Sequence, residues 1–246
     1  MELIFSEARI WRYLVSSISK VIEEAVLVIH PERGLRLRAL DPSHVVLIDM
    51  NFPPESFDLF EVEYETDIGV NLEDLAKVLR RATKDDRLKL TVERQQLNVI
   101  LKGRGERIFG LPVLDIKPEE VPEPELDFKA SATLSSNVYA DTLKDIKLVG
   151  EIVSFEASPE YLKVYSGSEI GEAEVLYTFE SDELLSLEAE ETQKSTYSLE
   201  YFTDLSSAAK VAEKITIQFS SNMPILVKHE IPYGALFSFL VAPRVE

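Results

Sequence analysis

Lys77, Arg80, Arg81 and Lys84 fall at i, i+3, i+4 and i+7, the spacing that puts side chains on one face of a helix. Cations arrayed this way attract phosphates through charge and read no base sequence. Asn71 is a suitable cap for the helix predicted over 72–83, and Glu73 and Asp74 sit where the helix dipole favours acids. On a first helix, predicted over 8–22, Arg9 and Arg12 lie opposite an apolar stripe, and Ser16 with Ser19 or Lys20 continues their line. A third helix, about 136–149, carries Lys144 and Lys147 opposite Val138, Leu143 and Ile146, with Gly150 placed to end it. A fourth, about 199–210, carries Lys210, with Lys214 just beyond. Each face alone would also suit a solvated outer surface. Yet the chain has 26 Lys+Arg against 44 Asp+Glu and a formal charge of −18, so mostly positive faces depart from its own average. Asp141 one turn from Lys144, and Asp204 within the fourth helix, dilute the second half. Any phosphate contact should therefore come mainly from the first half.

Other chemistry has little to work with. There is no Gly-rich phosphate loop, no G-x-S-x-G and no His–Glu metal signature. Zero cysteines exclude disulfides, thiol catalysis and thiolate metal sites. Three histidines, His30, His44 and His229, are scattered along the chain. The pairs Asp85-Asp86, Glu119-Glu120 and Glu190-Glu191 are the raw material of a carboxylate hydrolase, but their turn-like or linker-like settings suit solvated loops better. His44, at the start of a predicted strand, reads as a surface or pocket-rim residue. No catalytic residue, metal or cofactor is expected.

The elements carrying these residues occur twice. From Asn71 to Lys102 and from Ser198 to His229 the layout is the same at a constant offset of 127. Leu72, Leu75, Val78 and Ala82 answer Leu199, Phe202, Leu205 and Ala209 at helical spacing. Leu88, Leu90 and Val92 then answer Ile215, Ile217 and Phe219 with the alternation of a half-buried strand. At offset 128, Trp11, Val15, Ile18 and Val21 answer Tyr139, Leu143, Ile146 and Val149. Strands Ala25–Ile29 with Leu35–Leu40, and Ile152–Ala157 with Tyr161–Tyr165, follow the respective helices. Each half thus reads strand, helix, several strands, helix, several strands. This predicts an α+β chain of two similar domains rich in antiparallel hairpins, and like units tend to build symmetric objects.

At 246 residues and 45% hydrophobic content, the chain can bury two medium cores. No apolar run approaches the roughly 20 residues of a membrane span, and the N-terminus lacks a leader pattern, so a soluble intracellular protein is expected. Between the halves, Asp115 to Asp127 holds three prolines and four glutamates, the composition of an extended, semi-rigid strap. Domains are accordingly predicted at 1–116 and 128–246, with a linker at 117–127. Phe239-Leu240-Val241-Ala242-Pro243 makes the chain end unusually apolar, as expected of an end that docks.

Four segments carry a family resemblance: Leu40-Asp41-Pro42-Ser43-His44-Val45-Val46-Leu47; Ile68-Gly69-Val70-Asn71-Leu72 running into Lys77-Val78-Leu79-Arg80-Arg81; Met223-Pro224-Ile225-Leu226-Val227; and Leu240 to Glu246. Together and in order they resemble the DNA sliding clamp of archaea and eukaryotes, the proliferating cell nuclear antigen family, over essentially the whole chain and in wording closer to archaeal members.

The resemblance implies a ring of three two-domain subunits around duplex DNA, with helices lining the hole and sheets outside. It implies DNA-facing roles for Arg12, Lys20, Lys77, Arg80, Arg81, Lys84, Lys144, Lys147 and Lys210. It implies a pocket for short partner peptides formed by Leu40, His44, Val45, Leu47, Val121, Leu126, Pro224, Leu240, Ala242 and Pro243. DNA polymerase, clamp loader, flap endonuclease and DNA ligase are the implied peptide partners. Subunits would join by edge strands, Arg107, Ile108, Phe109 and Leu111 of one meeting Ala173, Val175, Tyr177 and Phe179 of the next, the next being a second copy or a paralogue. The implied location is the archaeal cytoplasm, or the nucleus of a eukaryote. A checkpoint-type clamp subunit of the same fold is the alternative, and an acidic two-domain hydrolase a remoter one.

Overall fold

A computed structural model describes residues 1–118, 121 and 124–244. Contacts divide the chain into two compact units. The first comprises Met1–Pro42, Ile48–Val121 and Ile231–Phe237; the second comprises Ser43–Leu47, Pro122–Glu230 and Ser238–Glu246.

The first half of the chain forms β1 (Glu2–Phe5), α1 (Ala8–Ile18), β2 (Glu24–His30), β3 (Gly34–Leu40), β4 (Val46–Phe52), β5 (Leu59–Glu61), β6 (Thr66–Asn71), α2 (Leu72–Leu79), β7 (Arg87–Glu93), β8 (Gln96–Lys102) and β9 (Glu106–Pro112). The second half repeats that series element for element. It runs β10 (Ala130–Ser135), α3 (Ser136–Lys147), β11 (Ile152–Ala157), β12 (Tyr161–Ser168), β13 (Gly171–Thr178), β14 (Leu184–Ala189), β15 (Gln193–Ser198), α4 (Leu199–Leu205), β16 (Lys214–Phe219), β17 (Ile225–Glu230) and β18 (Leu236–Val241). The strand order repeats too. The run β5-β1-β7-β8-β9 matches β14-β10-β16-β17-β18, and β6-β2-β3-β4 matches β15-β11-β12-β13. Neighbours are antiparallel, as in β7 with β8 and β12 with β13.

The apolar periodicities decide what is buried. Along α1, Ile10, Trp11, Leu14, Val15 and Ile18 are covered; along α2, Leu72, Leu75, Ala76 and Leu79. Trp11 stacks on Phe52 at 4.9 Å between centroids, and Phe5 meets Phe52 edge-on at 5.4 Å. In the second unit Phe155 lies 5.4 Å from Phe202. Such ring pairs add roughly 0.5–1.5 kcal/mol each beyond their buried area. Period-2 alternation on β4 sends Val46, Ile48, Met50 and Phe52 inward and leaves Leu47 and Asp49 half-exposed on the other face.

Several boundaries differ from the sequence reading. The first helix ends at Ile18, and residues 19–22 continue only as turns. The second ends at Leu79 rather than near 83, tightened by Arg81 N–H to Val78 C=O at 3.1 Å and Ala82 N–H to Leu79 C=O at 2.8 Å. Lys84 therefore stands on the turn after α2, not on the helix. The fourth helix gives way to a 3-10 segment, Ser206–Lys210, where the Ser206 hydroxyl donates back to the Thr203 carbonyl at 2.7 Å. The cap at Asn71 forms as expected, its Oδ1 accepting from Asp74 N–H at 3.0 Å. His44 precedes β4 instead of starting it, exposed and in the left-handed region at φ 58°.

Asp86 is also misread by its sequence context: it is 2% exposed and fully engaged, not a solvated loop residue. Asp85 beside it is exposed, as is Glu190, while Glu119 and Glu120 lie outside the described residues.

The β7–β8 hairpin turns through Arg94 and Gln95, both at positive φ, 50° and 61°. A two-residue turn of this kind favours asparagine followed by glycine. The double substitution Arg94→Asn with Gln95→Gly should stabilise the protein by about 1 kcal/mol and raise the melting midpoint by about 2–4 °C. An unchanged or lowered midpoint in a thermal melt would show that the turn is not strained.

Candidate functional site

The basic set divides by what already neutralises each charge. Lys77 Nζ lies 3.1 Å from Glu73 and 3.1 Å from Asp74, and its hydrogen bonds to Asp74 and then Glu73 raise its pKa. Those acids, at i−4 and i−3, were the sequence signal for this pairing. Arg80, Arg81 and Lys84 are exposed, with no ion pair among the described residues. Arg12 is half-buried, its Nη1 donating to the Ala82 carbonyl at 3.1 Å, so it braces the end of α2 from α1. In the second unit Lys144 Nζ is 2.6 Å from Asp141, whereas Lys147 is exposed without an ion pair among the described residues. Lys20 and Lys210 are exposed. Three uncompensated cations thus cluster at the α2 end of the first unit, against one on α3.

The ten residues assigned to a peptide pocket are all outside the core; His44 is exposed and the other nine are half-buried. Within the second unit, Ala242 N–H donates to the Val45 carbonyl at 2.9 Å, drawing the 43–47 segment to the chain end. Pro224 follows Met223, whose carbonyl accepts from the Tyr197 hydroxyl at 2.8 Å. The linker's far end, near Leu126, is held where Ser220 Oγ donates to the Asp127 carbonyl at 3.1 Å and accepts from Lys129 N–H at 2.9 Å. Leu240, Ala242 and Pro243 continue along and past β18. Leu40 and Val121 belong to the first unit, Leu40 on the outer face of β3.

Two side chains beside these residues in the second unit were not named from sequence. Tyr201 lies 3.2 Å, hydroxyl to hydroxyl, from Ser43, and Met223 is 36% exposed. The one available signal was an apolar residue in a polar turn, Ser221-Asn222-Met223-Pro224.

β9 and β13 each have a strand on one side only. Ile108 on β9, Leu176 on β13 and Phe179 just beyond it are exposed, at 61%, 53% and 62%, and rows of apolar side chains beside open ladders invite another strand. Phe109, Leu111, Ala173 and Val175 are half-buried. Two side chains assigned to this edge turn inward instead. Tyr177 is buried, hydrogen-bonded to Thr142 on α3, and burial pushes its phenol pKa up. Arg107 is engaged with Asp86 and the Arg81 carbonyl. Leu176, between Val175 and Tyr177, was not named from sequence and is 53% exposed.

Comparison with known proteins matches residues 1–107 to the N-terminal domain of proliferating cell nuclear antigen and residues 122–244 to its C-terminal domain. The chain belongs to the proliferating cell nuclear antigen family. A DNA polymerase sliding clamp of Thermofilum pendens is 34% identical over the full length of both chains. DNA polymerase sliding clamp 3 of Aeropyrum pernix is 38% identical over 98% of this chain and 97% of its own. Among solved structures, a PCNA2–PCNA3 complex from Sulfolobus tokodaii superposes with a TM-score of 0.94 at 30% identity, covering all of both chains. PCNA from Thermococcus kodakaraensis gives 0.92 at 32%, covering 99% of each. The two-domain fold of antiparallel sheets with few helices is thus the family's fold. Among the described residues no group of acids and histidines could hold a metal, and no helix is long and apolar enough to cross a membrane.

Proposed function

We propose that the chain is a subunit of a DNA polymerase sliding clamp, a ring that encircles duplex DNA and tethers polymerase and other replication and repair enzymes through short peptides. Full-length similarity to sliding clamps carries the reading, and the uncompensated Arg80, Arg81 and Lys84 on a chain of net charge −18 support it. Acidic surroundings would repel DNA from most of the surface and leave the helix faces as the attractive strip. Contacts limited to phosphates let a ring slide. No catalytic group is required. In this reading 1–116 and 128–246 are the clamp domains, 117–127 connects them, and the clamp works in the archaeal cytoplasm with clamp loader, flap endonuclease and DNA ligase as further partners.

Repeat equivalence supports the ring. β4 and β18 are fastened near both ends, by Ala242 N–H to Val45 C=O at 2.9 Å and Ser56 Oγ to Tyr233 C=O at 2.7 Å. Their counterparts in the other half are β13 and β9, the two strands with an open side. If the same pairing recurs between subunits, β9 of one meets β13 of the next head to tail, and closure after three copies leaves no free edge. A ring of paralogues is the second reading, favoured by the solved relative that is a PCNA2–PCNA3 complex.

The test is topological: the protein, loaded on a nicked circle, should stay bound until the circle is cut. Reversing Arg80, Arg81 and Lys84 to Glu should flatten the salt dependence of duplex binding by about three units of slope; reversing Lys144 and Lys147 should remove about one. Equal losses, measured by titrating salt against a fluorescent duplex, would refute the asymmetry between the domains.

A further inference from the structure

The turn 80–86 leaves α2 and must enter β7 at Arg87. Two guanidiniums reach it from different elements and take the carbonyls of consecutive residues. Arg107 Nη1, from β9, donates to Arg81 C=O at 2.9 Å. Arg12 Nη1, from α1, donates to Ala82 C=O at 3.1 Å. The rest of the turn closes on Asp86. Its Oδ2 accepts from Thr83 N–H at 2.7 Å and Thr83 Oγ1 at 2.8 Å, and its Oδ1 lies 2.6 Å from Arg107 Nη2. Asp86 is itself anchored, its carbonyl accepting from Ala8 N–H at 2.8 Å. A Cβ at Gly103 would overlap Asp86 Oδ1, so glycine there makes room for the carboxylate.

Burial raises the Asp86 pKa, but the hydrogen bonds from Arg107 and Thr83 outweigh it and hold the carboxyl below its ordinary value. A carboxylate buried this way needs its cation. Arg107 is thus committed to the turn and not held out along the strand edge, while Arg80, Arg81 and Lys84 are exposed.

We infer that Arg107, oriented by Asp86, is a positioning residue for DNA contact: it fixes the turn from which Arg80, Arg81 and Lys84 meet phosphate. The inference rests on the clamp reading. Lysine cannot replace it, because one planar fork must serve a carboxylate and a carbonyl at once.

Arg107→Lys and Asp86→Asn, each made in the full chain, provide the test. In both, amide exchange over residues 80–87 should speed up about tenfold while the remaining strands keep their protection. The salt slope of binding to a fluorescent duplex should fall by about one unit, as the three cations lose register with the phosphates. A lowered melting point with the wild-type slope would make the pair purely structural and overturn the inference, and so would wild-type exchange in Arg107→Lys. The wild-type arm separates the two readings. If the wild type binds duplex without salt dependence, the DNA role fails with it, while local exchange still decides whether the lock orders the turn.

Discussion

Leu47→Asp should weaken binding of a polymerase-derived peptide at least about 30-fold, the scale of a hot-spot loss of about 2 kcal/mol, while the melting temperature stays within a few degrees. The expectation follows from the two faces of β4. Val46 and Ile48 are 0% exposed and belong to the core; Leu47, between them, is half-buried on the opposite face. An aspartate there can keep its water in the free protein, so folding loses little. Once an apolar anchor covers it, the carboxylate is desolvated without a partner, which is expensive. The neighbourhood favours an anchor of that kind: Val45 is tied to Ala242, and Tyr201 and Met223 add apolar area with a polar tip. Polymerase stimulation should fall with peptide affinity while encirclement of DNA persists. Two measurements on one variant, fluorescence anisotropy of the peptide and a thermal melt, separate the possibilities. Peptide binding at the wild-type level would sink the pocket assignment, and a collapse of the melting temperature would make Leu47 core after all.

What was legible beforehand was periodic. The N-cap at Asn71, the strand alternation and the apolar faces of the helices are local properties of the chain, the duplicated layout is the same local pattern met twice, and the structure has them in place. What was illegible depended on particular side-chain pairings, some local and some distant in sequence, that periodicity does not specify. Nothing local marks Asp86 as buried: its partners are Arg107 on β9 and Thr83, and the space it fills is vacated by Gly103. The early end of α2 follows from the same cluster, because Thr83 bonds to Asp86 instead of extending the helix. Tyr201 was invisible for a similar reason, its hydroxyl meeting Ser43 across 158 positions. Lys77 was readable and misweighted; its acids were in view one turn away, yet they had been assigned only to the helix dipole.

Of two prolines at consecutive positions on β13, one should abolish ring formation and the other should damage the fold instead. Amides along an antiparallel strand alternate in direction. Val175 pairs in register with Val164 on β12, and Leu176 with Lys163. One of these two residues therefore gives its N–H to β12 and the other to the open side. Proline at the outward position leaves the β12 ladder whole and removes a donor from the proposed neighbour, β9 of the next subunit. Val175→Pro and Leu176→Pro should accordingly behave oppositely: one loses the trimer in equilibrium sedimentation with little change in melting temperature, the other loses stability. The expected loss of association is large because a closed ring uses the same heterologous seam three times, and weakening one weakens all. If the partner is a paralogue, the trimer appears only in the mixture, so sedimentation is run on the protein alone and with the paralogue. Should both proline variants sediment as trimers in either condition, the seam lies elsewhere, and the equivalence of β9 and β13 with β18 and β4 has no counterpart between subunits.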